Sequence, residues 1–224
     1  MIKDIAEKLS RELRISLDKV VREEWEMKVL EKISQSVIGD KIMFKGGTAL
    51  RLAYNSPRFS DDLDFSPLSK IAFADYKTVI KSIEKAFPEI VISDIYNKYY
   101  TYLSEYKITD PLLSQNITLK IELSKRKSQY KSSLRLISSP SSNLQPLFQV
   151  EEIDEILKDK LKTIQERKLP RDLFDIWFLC QKLRLPMPDI TLKIDKKLIR
   201  QELSKYLPKN YQTVTTQLME KYGK

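Results

Sequence analysis

Histidine is missing altogether from these 224 residues, cysteine occurs once and glycine only four times. Without imidazole there is no Ser-His-Asp triad, no histidine general base and no zinc site built on imidazole. The lone Cys180 lies in the apolar run Ile176-Trp177-Phe178-Leu179. With no second cysteine for a disulfide and no histidine to activate it, it reads as a core residue. No apolar run approaches the roughly 20 residues that cross a bilayer. The opening Met1-Ile2-Lys3-Asp4 lacks the hydrophobic segment of a signal peptide, so a cytoplasmic protein without membrane contact is expected. Chemistry here must run on carboxylates, lysine, arginine, hydroxyls and bound metal.

Two of the four glycines stand side by side in Lys45-Gly46-Gly47-Thr48. Ile42-Met43-Phe44 before them reads as a short buried strand, and Ala49-Leu50-Arg51-Leu52-Ala53-Tyr54 after them as a helix with Thr48 at its N-cap. Free backbone N–H groups at the positive end of a helix dipole suit a phosphate. Next comes Arg58-Phe59-Ser60-Asp61-Asp62-Leu63-Asp64-Phe65. On a strand, residues two apart share a face, which pairs Asp62 with Asp64 and sets Leu63 and Phe65 opposite. Asp61 falls outside that pair and serves as the internal control, its side chain expected to point away. Two carboxylates on one side of a strand are common oxygen ligands for Mg²⁺ bridging nucleotide phosphates, which here suggests a two-metal site. Taken singly, a Gly-Gly is more often a plain turn and an Asp-x-Asp a solvated strand end. It is their combination and order that point to a nucleotide.

The remaining pattern gives an α+β fold. Ile5, Leu9 and Leu13 have helical spacing. Val21, Trp25, Val29, Ile33 and Val37 predict an amphipathic helix ending near Gly39, and Tyr76, Val79, Ile80, Ile83 and Phe87 another, stopped by Pro88. Residues 90–95, 99–108 and 116–124 read as strands, rich in β-branched and aromatic residues. Ile153, Ile156, Leu157, Leu161 and Ile164 form one later helix face, and Leu173, Ile176, Trp177, Cys180 and Leu183 another. Leu185-Pro186-Met187-Pro188-Asp189 links to terminal helices. The expected architecture is a mixed-sheet domain over 1–145 and a helical domain over 146–224, the boundary falling near 143–150.

In Ile117-Thr118-Leu119-Lys120-Ile121-Glu122-Leu123-Ser124 the apolar residues alternate strictly, so Lys120 and Glu122 share the polar face. If this strand lies beside that of Asp62 and Asp64, Glu122 becomes a third carboxylate at the site. Otherwise it is a solvent-facing glutamate. The formal charge of +9 is concentrated in Ser124–Arg135, which has five cations and no acid. That segment is either a solvated loop or an electrostatic track for an RNA backbone, with Tyr130 available for stacking.

These residues resemble the AbiEii/AbiGii toxin nucleotidyltransferases, the enzymatic halves of bacterial type IV toxin–antitoxin systems. Phe44–Leu50, Arg58-Phe59-Ser60 and Asp62-Leu63-Asp64-Phe65 match the family's first signature. Glu155, Lys160, Arg167 and Pro170-Arg171-Asp172-Leu173-Phe174-Asp175 match its second. The likeness runs from about Val20 to about Leu183. One departure is Gly47-Thr48, where many nucleotidyltransferases have Gly-Ser; the hydroxyl is kept, so Thr48 stands with Gly46 and Gly47 as a nucleotide contact. The resemblance implies a nucleotidyltransferase-like sheet lobe and Mg²⁺-dependent transfer of a nucleotide from an NTP to an acceptor, RNA and its tRNA 3′ ends foremost, with inhibited growth. It also implies a cognate antitoxin protein. Lys160 would bind the triphosphate, Asp172 would orient it or the attacking group, and Arg171 and Asp175 would stand in the same cleft. Lys45 and Arg58 are further phosphate candidates, and Glu122 would help activate the attacking hydroxyl. By local spacing alone, Asp172 is equally a helix cap and Arg171–Asp175 a surface pair. Two other functions fit the sequence: a nucleotide- or RNA-binding module without turnover, and a transferase acting on a small molecule or a protein.

Overall fold

The computed structural model describes residues 1–126 and 129–224, and residues 127 and 128 of the basic segment lie outside it. Among the described residues the chain forms eight α-helices and one seven-stranded mixed sheet. The order along the chain is α1 (Lys3–Leu13), α2 (Leu17–Ser34), β1 (Ile42–Lys45), α3 (Gly46–Tyr54), β2 (Asp62–Pro67), α4 (Phe73–Ala86), β3 (Ile90–Asn97), β4 (Thr101–Ile108), β5 (Ile117–Ser124), β6 (Ser132–Leu136), β7 (Leu147–Glu151), α5 (Ile153–Arg167), α6 (Pro170–Leu183), α7 (Lys196–Tyr206) and α8 (Gln212–Tyr222). In space the strands run β3-β4-β5-β2-β1-β7-β6.

The centre of the sheet positions everything that follows. β1 and β2 are antiparallel, with Lys45 opposite Asp64. β2 and β5 are parallel, placing Asp62 beside Lys120 and Asp64 beside Glu122. On the other flank β7 runs parallel to β1, pairing Phe44 with Val150 and bringing Glu151 level with Lys45. The apolar faces of these strands pack together: Phe44, Leu63, Phe65, Leu119, Ile121, Phe148 and Val150 are all buried. Phe44, Phe65 and Phe148 form a ring cluster with centroids 5.3–5.9 Å apart. Period-two alternation therefore has its ordinary consequence, an apolar side in the core and a polar side lining a cleft.

Two expectations change. α2 ends at Ser34 rather than near Gly39, and Val37 is exposed. The helix is also not amphipathic: Val20, Val21, Trp25, Met27, Val29 and Leu30 are buried together with Lys19, Glu23, Glu24 and Glu26. Long-range partners explain how Glu23, Glu24 and Lys19 are tolerated, whereas Glu26 Oε1 has no partner among the described residues and burial raises its carboxyl well above the ordinary range. Glu23 accepts from Arg51 and Ser139, Glu24 from the N-terminal ammonium, and Trp25 donates its indole N–H to Asp110. β6 and β7 are strands that the sequence reading did not contain. β7 lies inside the sheet, so the helical run begins only at Ile153.

Asp61 precedes β2 and turns away from the cleft. It accepts from Lys19 Nζ at 2.6 Å and from the Tyr206 hydroxyl at 2.6 Å, and Arg22 lies 3.3 Å away. Burial would raise its carboxyl, yet Lys19 and Arg22 outweigh that and hold it below the ordinary range. Lys19 is almost fully buried, so its charge depends on this partner. Asp61→Ala is therefore expected to cost on the order of 3 kcal/mol, the penalty for orphaning a buried charge. It should be read as a lower urea midpoint, with Asp61→Asn milder. An unchanged midpoint would mean that Lys19 does not need Asp61.

Candidate active site

The glycine turn is built by what surrounds it. Gly46 has φ +79°, and a Cβ there would stand 2.6 Å from Asp64 Oδ2. A side chain is excluded both by the backbone and by the carboxylate. At Gly47 a Cβ would lie 2.4 Å from Arg58 Nη2 and 2.8 Å from Ser60 Oγ. The turn is thus pressed against the carboxylate strand. α3 begins at Gly46 with Lys45 as N-cap, which corrects the expected N-cap at Thr48. Thr48 is buried and its hydroxyl donates to the Asp62 carbonyl. That hydroxyl ties α3 to β2 behind the cleft, leaving backbone N–H groups as the turn's donors toward a ligand.

A cleft of about 520 Å³ opens in front of the turn. It is bounded by Lys45, Gly46, Gly47, Arg58, Asp62 and Asp64 from the first signature and by Lys160, Arg171 and Asp172 from the second. Lys120 and Glu122 of β5 line it as well. The two motifs, about a hundred residues apart in sequence, face one another. Its volume lies within the usual range for small-ligand sites.

One wall is a buried ion network. Asp175 accepts from Arg58 Nε at 2.6 Å and Nη2 at 2.8 Å, and its Oδ2 lies 2.7 Å from Lys160 Nζ. Lys160 also donates to Asp172 Oδ1 at 2.6 Å. Arg58 completes its set by donating to the Phe59 carbonyl. Arg171 instead lies 3.7 Å from Glu202, so the surface pair of Arg171 with Asp175 does not form. Asp175 is fully buried. Asp172 sits in the first turn of α6 with Oδ1 held by Lys160 and, among the described residues, no partner for its buried Oδ2. Burial would push Asp175 up, but Arg58 and Lys160 together hold it below the ordinary range. Burial would likewise lower Lys160, and Asp175 and Asp172 together raise it instead. Arg58 is therefore chiefly a strut beneath the turn, bonded on both sides of its guanidinium.

The opposite wall is rich in carboxylates. Asp64 is pushed up to about 6, by burial first and then by Glu122 and Asp62, with Lys45 and Lys160 pulling the other way. Burial raises Asp62 as well. Glu122 is clasped by Lys120. Among the described residues no group of three or more carboxylate or cysteine side chains gathers closely enough to hold a metal ion. In this conformation the oxygen donors facing a cation are Asp62 and Asp64. Their hard carboxylate oxygens and mutual crowding suit a divalent cation of the Mg²⁺ class.

The sequence reading missed several cleft residues. Glu151, at the end of β7, is buried, its Oε1 has no partner among the described residues, and its carboxyl is pushed up to about 7, mainly by burial. Its only sequence signal was an acid directly after the apolar strand end Phe148-Gln149-Val150. Asp159 also lines the cleft and accepts from the Tyr130 hydroxyl. Tyr130 is thus tied to a residue of the cleft wall. Lys45 and Arg167 are cleft cations with no ion pair among the described residues. Of the basic segment, Arg135 is paired with Glu152 and Lys125 bonded to Asn97.

The profile of the family described as nucleotidyl transferase AbiEii toxin, type IV toxin–antitoxin system, matches residues 28–221. The chain belongs to this family. It is a nucleotidyltransferase toxin, which implies an NTP substrate and a cognate antitoxin. Solved structures share the fold. JHP933 from Helicobacter pylori is 21% identical with a TM-score of 0.58, the match covering 93% of this chain and 80% of that one. A putative nucleotidyltransferase from H. pylori is 24% identical with a TM-score of 0.57, covering 75% and 70%. MenT4, a nucleotidyltransferase toxin from Mycobacterium tuberculosis, is 20% identical with a TM-score of 0.62, covering 89% and 68%. No curated protein matches the sequence. Among the described residues no helix is long and apolar enough to cross a membrane.

The raised carboxyl of Asp64 has a testable sign. A folded value of about 6 against an ordinary 3.8 means that its contribution to stability is fully present below about 3.8 and lost as pH rises through about 6. Without added metal, Asp64→Asn should therefore stabilise the protein at pH 8 by on the order of 2–3 kcal/mol, and little at pH 4. Thermal melts at the two pH values check this. Equal shifts at both would contradict the burial of Asp64 and its crowding by Glu122 and Asp62.

Proposed function

We propose that the protein is a Mg²⁺-dependent nucleotidyltransferase that moves a nucleotide from an NTP to the 3′ end of an RNA, with tRNA the leading candidate, and thereby inhibits growth. The observation that carries this reading is the placement of Asp64 directly against Gly46 of the turn, with Asp62 on the same strand and Lys160 and Asp172 lining the same cleft. Backbone N–H groups at the start of α3 receive phosphate oxygens, and Lys45 and Arg167 neutralise them. Lys160, held rigid by Asp172 and Asp175, presents a fixed positive charge to the triphosphate. Arg171 stands at the rim as a further phosphate contact.

Asp62 and Asp64 would hold the divalent cation or cations, which would supply charge neutralisation for the triphosphate and the departing pyrophosphate. In the transfer, the acceptor oxygen forms a bond to the α-phosphorus while the bond from that phosphorus to pyrophosphate breaks. The acceptor proton passes to Glu122, whose Oε1 is clasped by Lys120 and whose Oε2 is the accepting atom. Register supports this role, since Glu122 lies beside Asp64.

Purified protein incubated with labelled NTPs, Mg²⁺ and total tRNA is expected to transfer label to RNA. Asp62→Asn and Asp64→Asn should each lower the rate by about a thousandfold or more, the scale of losing a principal electrostatic element. Asp61→Asn, measured on its folded fraction, should retain substantial activity. Label moving only to a small molecule or a protein overturns the RNA reading. Unimpaired Asp62 and Asp64 variants overturn the site.

A further inference from the structure

The hairpin joining β3 to β4 carries an unusual load of exposed aromatic rings. Tyr99 is 83% and Tyr100 52% exposed, and they meet edge to face with centroids 4.4 Å apart. Large apolar rings left in water at a hairpin tip contribute nothing to the core and gain area only by covering something. Cations accompany them. The Arg126 guanidinium lies 3.9 Å from the Tyr100 ring centroid, and Lys125 Nζ 4.8 Å from that of Tyr102. Lys98 sits in the same turn, its carbonyl accepting from Lys125.

This patch adjoins the active-site cleft. Thr101 pairs with Ser124 across β4 and β5, and both line the cleft. The Lys125 amide donates to the Tyr100 carbonyl at 2.8 Å, so the aromatic tip begins one residue beyond the rim. From Glu122 to Lys125 along β5 is about 10 Å at the rise of an extended strand. A second cavity of about 450 Å³, bounded by Ile71, Tyr102, Leu123 and Lys125, shares Ser124 with the cleft.

We infer that Tyr99 and Tyr100, with Arg126, Lys125 and Lys98, form a stacking platform for the unpaired bases of a single-stranded RNA whose 3′ end enters the cleft. The inference rests on the RNA-acceptor reading above and adds the surface that holds the strand. Rings with a free face stack on any base, and adjacent cations track the phosphates, the combination by which single strands are held without sequence readout. An acidic protein partner would use the cations but not the ring faces.

The test is binding of a short fluorescein-labelled single-stranded RNA, by anisotropy across a salt series, alongside transfer to the same RNA. Tyr99→Ala with Tyr100→Ala should weaken binding roughly tenfold or more, as expected for a lost stacked base, and leave the salt slope unchanged. Tyr100→Phe should bind as wild type and Tyr100→Leu should not. Lys98→Gln should lower the salt slope by about one. The same sequence as a duplex should bind without dependence on the tyrosines. Far-ultraviolet circular dichroism should confirm folding of these exposed-site variants. Wild-type binding by the double-alanine variant overturns the platform, as does equal competition by polyglutamate. Transfer to RNA that persists unchanged in that variant also overturns it, while leaving the proposed reaction standing. Tyrosine-dependent binding without any transfer supports the platform and overturns the reaction.

Discussion

Two guanidinium nitrogens of Arg58 grip both oxygens of Asp175 in a place that water does not reach, and this pair sets much of the rest of the molecule. Arg58 precedes the carboxylate strand, whereas Asp175 lies on α6. Lys160 of α5 joins through Asp175 and Asp172, giving two positive and two negative groups that neutralise each other. A fork-to-fork pair fixes orientation as well as distance, which a lysine in place of Arg58 could not do. Arg58 also backs Gly47 so closely that the turn can accommodate no side chain. One buried contact thus aligns the turn, the Asp62–Asp64 strand and the lysine opposite.

Charge in the cleft is divided by depth. The network of Arg58, Lys160, Asp172 and Asp175 is internally paired, while Lys160 still lines the cleft. Further out, Asp62, Asp64, Glu122 and Glu151 crowd one side while Lys45 and Arg167 stand without ion pairs among the described residues. A polyanion alone would meet repulsion from the first group and attraction from the second. A polyanion accompanied by a divalent cation would satisfy both.

How much of this was legible depended on the range of the interaction. Alternation along a single strand placed Asp62 with Asp64, turned Asp61 away and put Glu122 on the polar face; the parallel register of β2 with β5 then set Glu122 beside Asp64. Partners distant in sequence were not legible. Local spacing suggested Arg171 for Asp175, but its partner is Arg58, 117 residues away. The burial of charges on α2 was not legible because their partners come from Met1, Arg51, Asp61 and Ser139. β6 and β7 escaped notice because they are only five residues long, and β6 is an edge strand beginning with two serines. Glu151 went with them. Thr48 shows the limit at one residue: a hydroxyl beside a glycine turn reads as a ligand contact until a backbone carbonyl is found to hold it.

The distance in sequence between Arg58 and Asp175 also orders events in time. A chain emerging from the ribosome presents the glycine turn and both aspartates long before α6 exists. Until Pro170–Leu183 is available, Arg58 has no carboxylate to grip and Lys160 has none of the counter-charges that fix it. The sheet can form, but the wall that faces the aspartates cannot. Topology alone thus orders the assembly of the cleft, whose second wall closes only after α6 has been made.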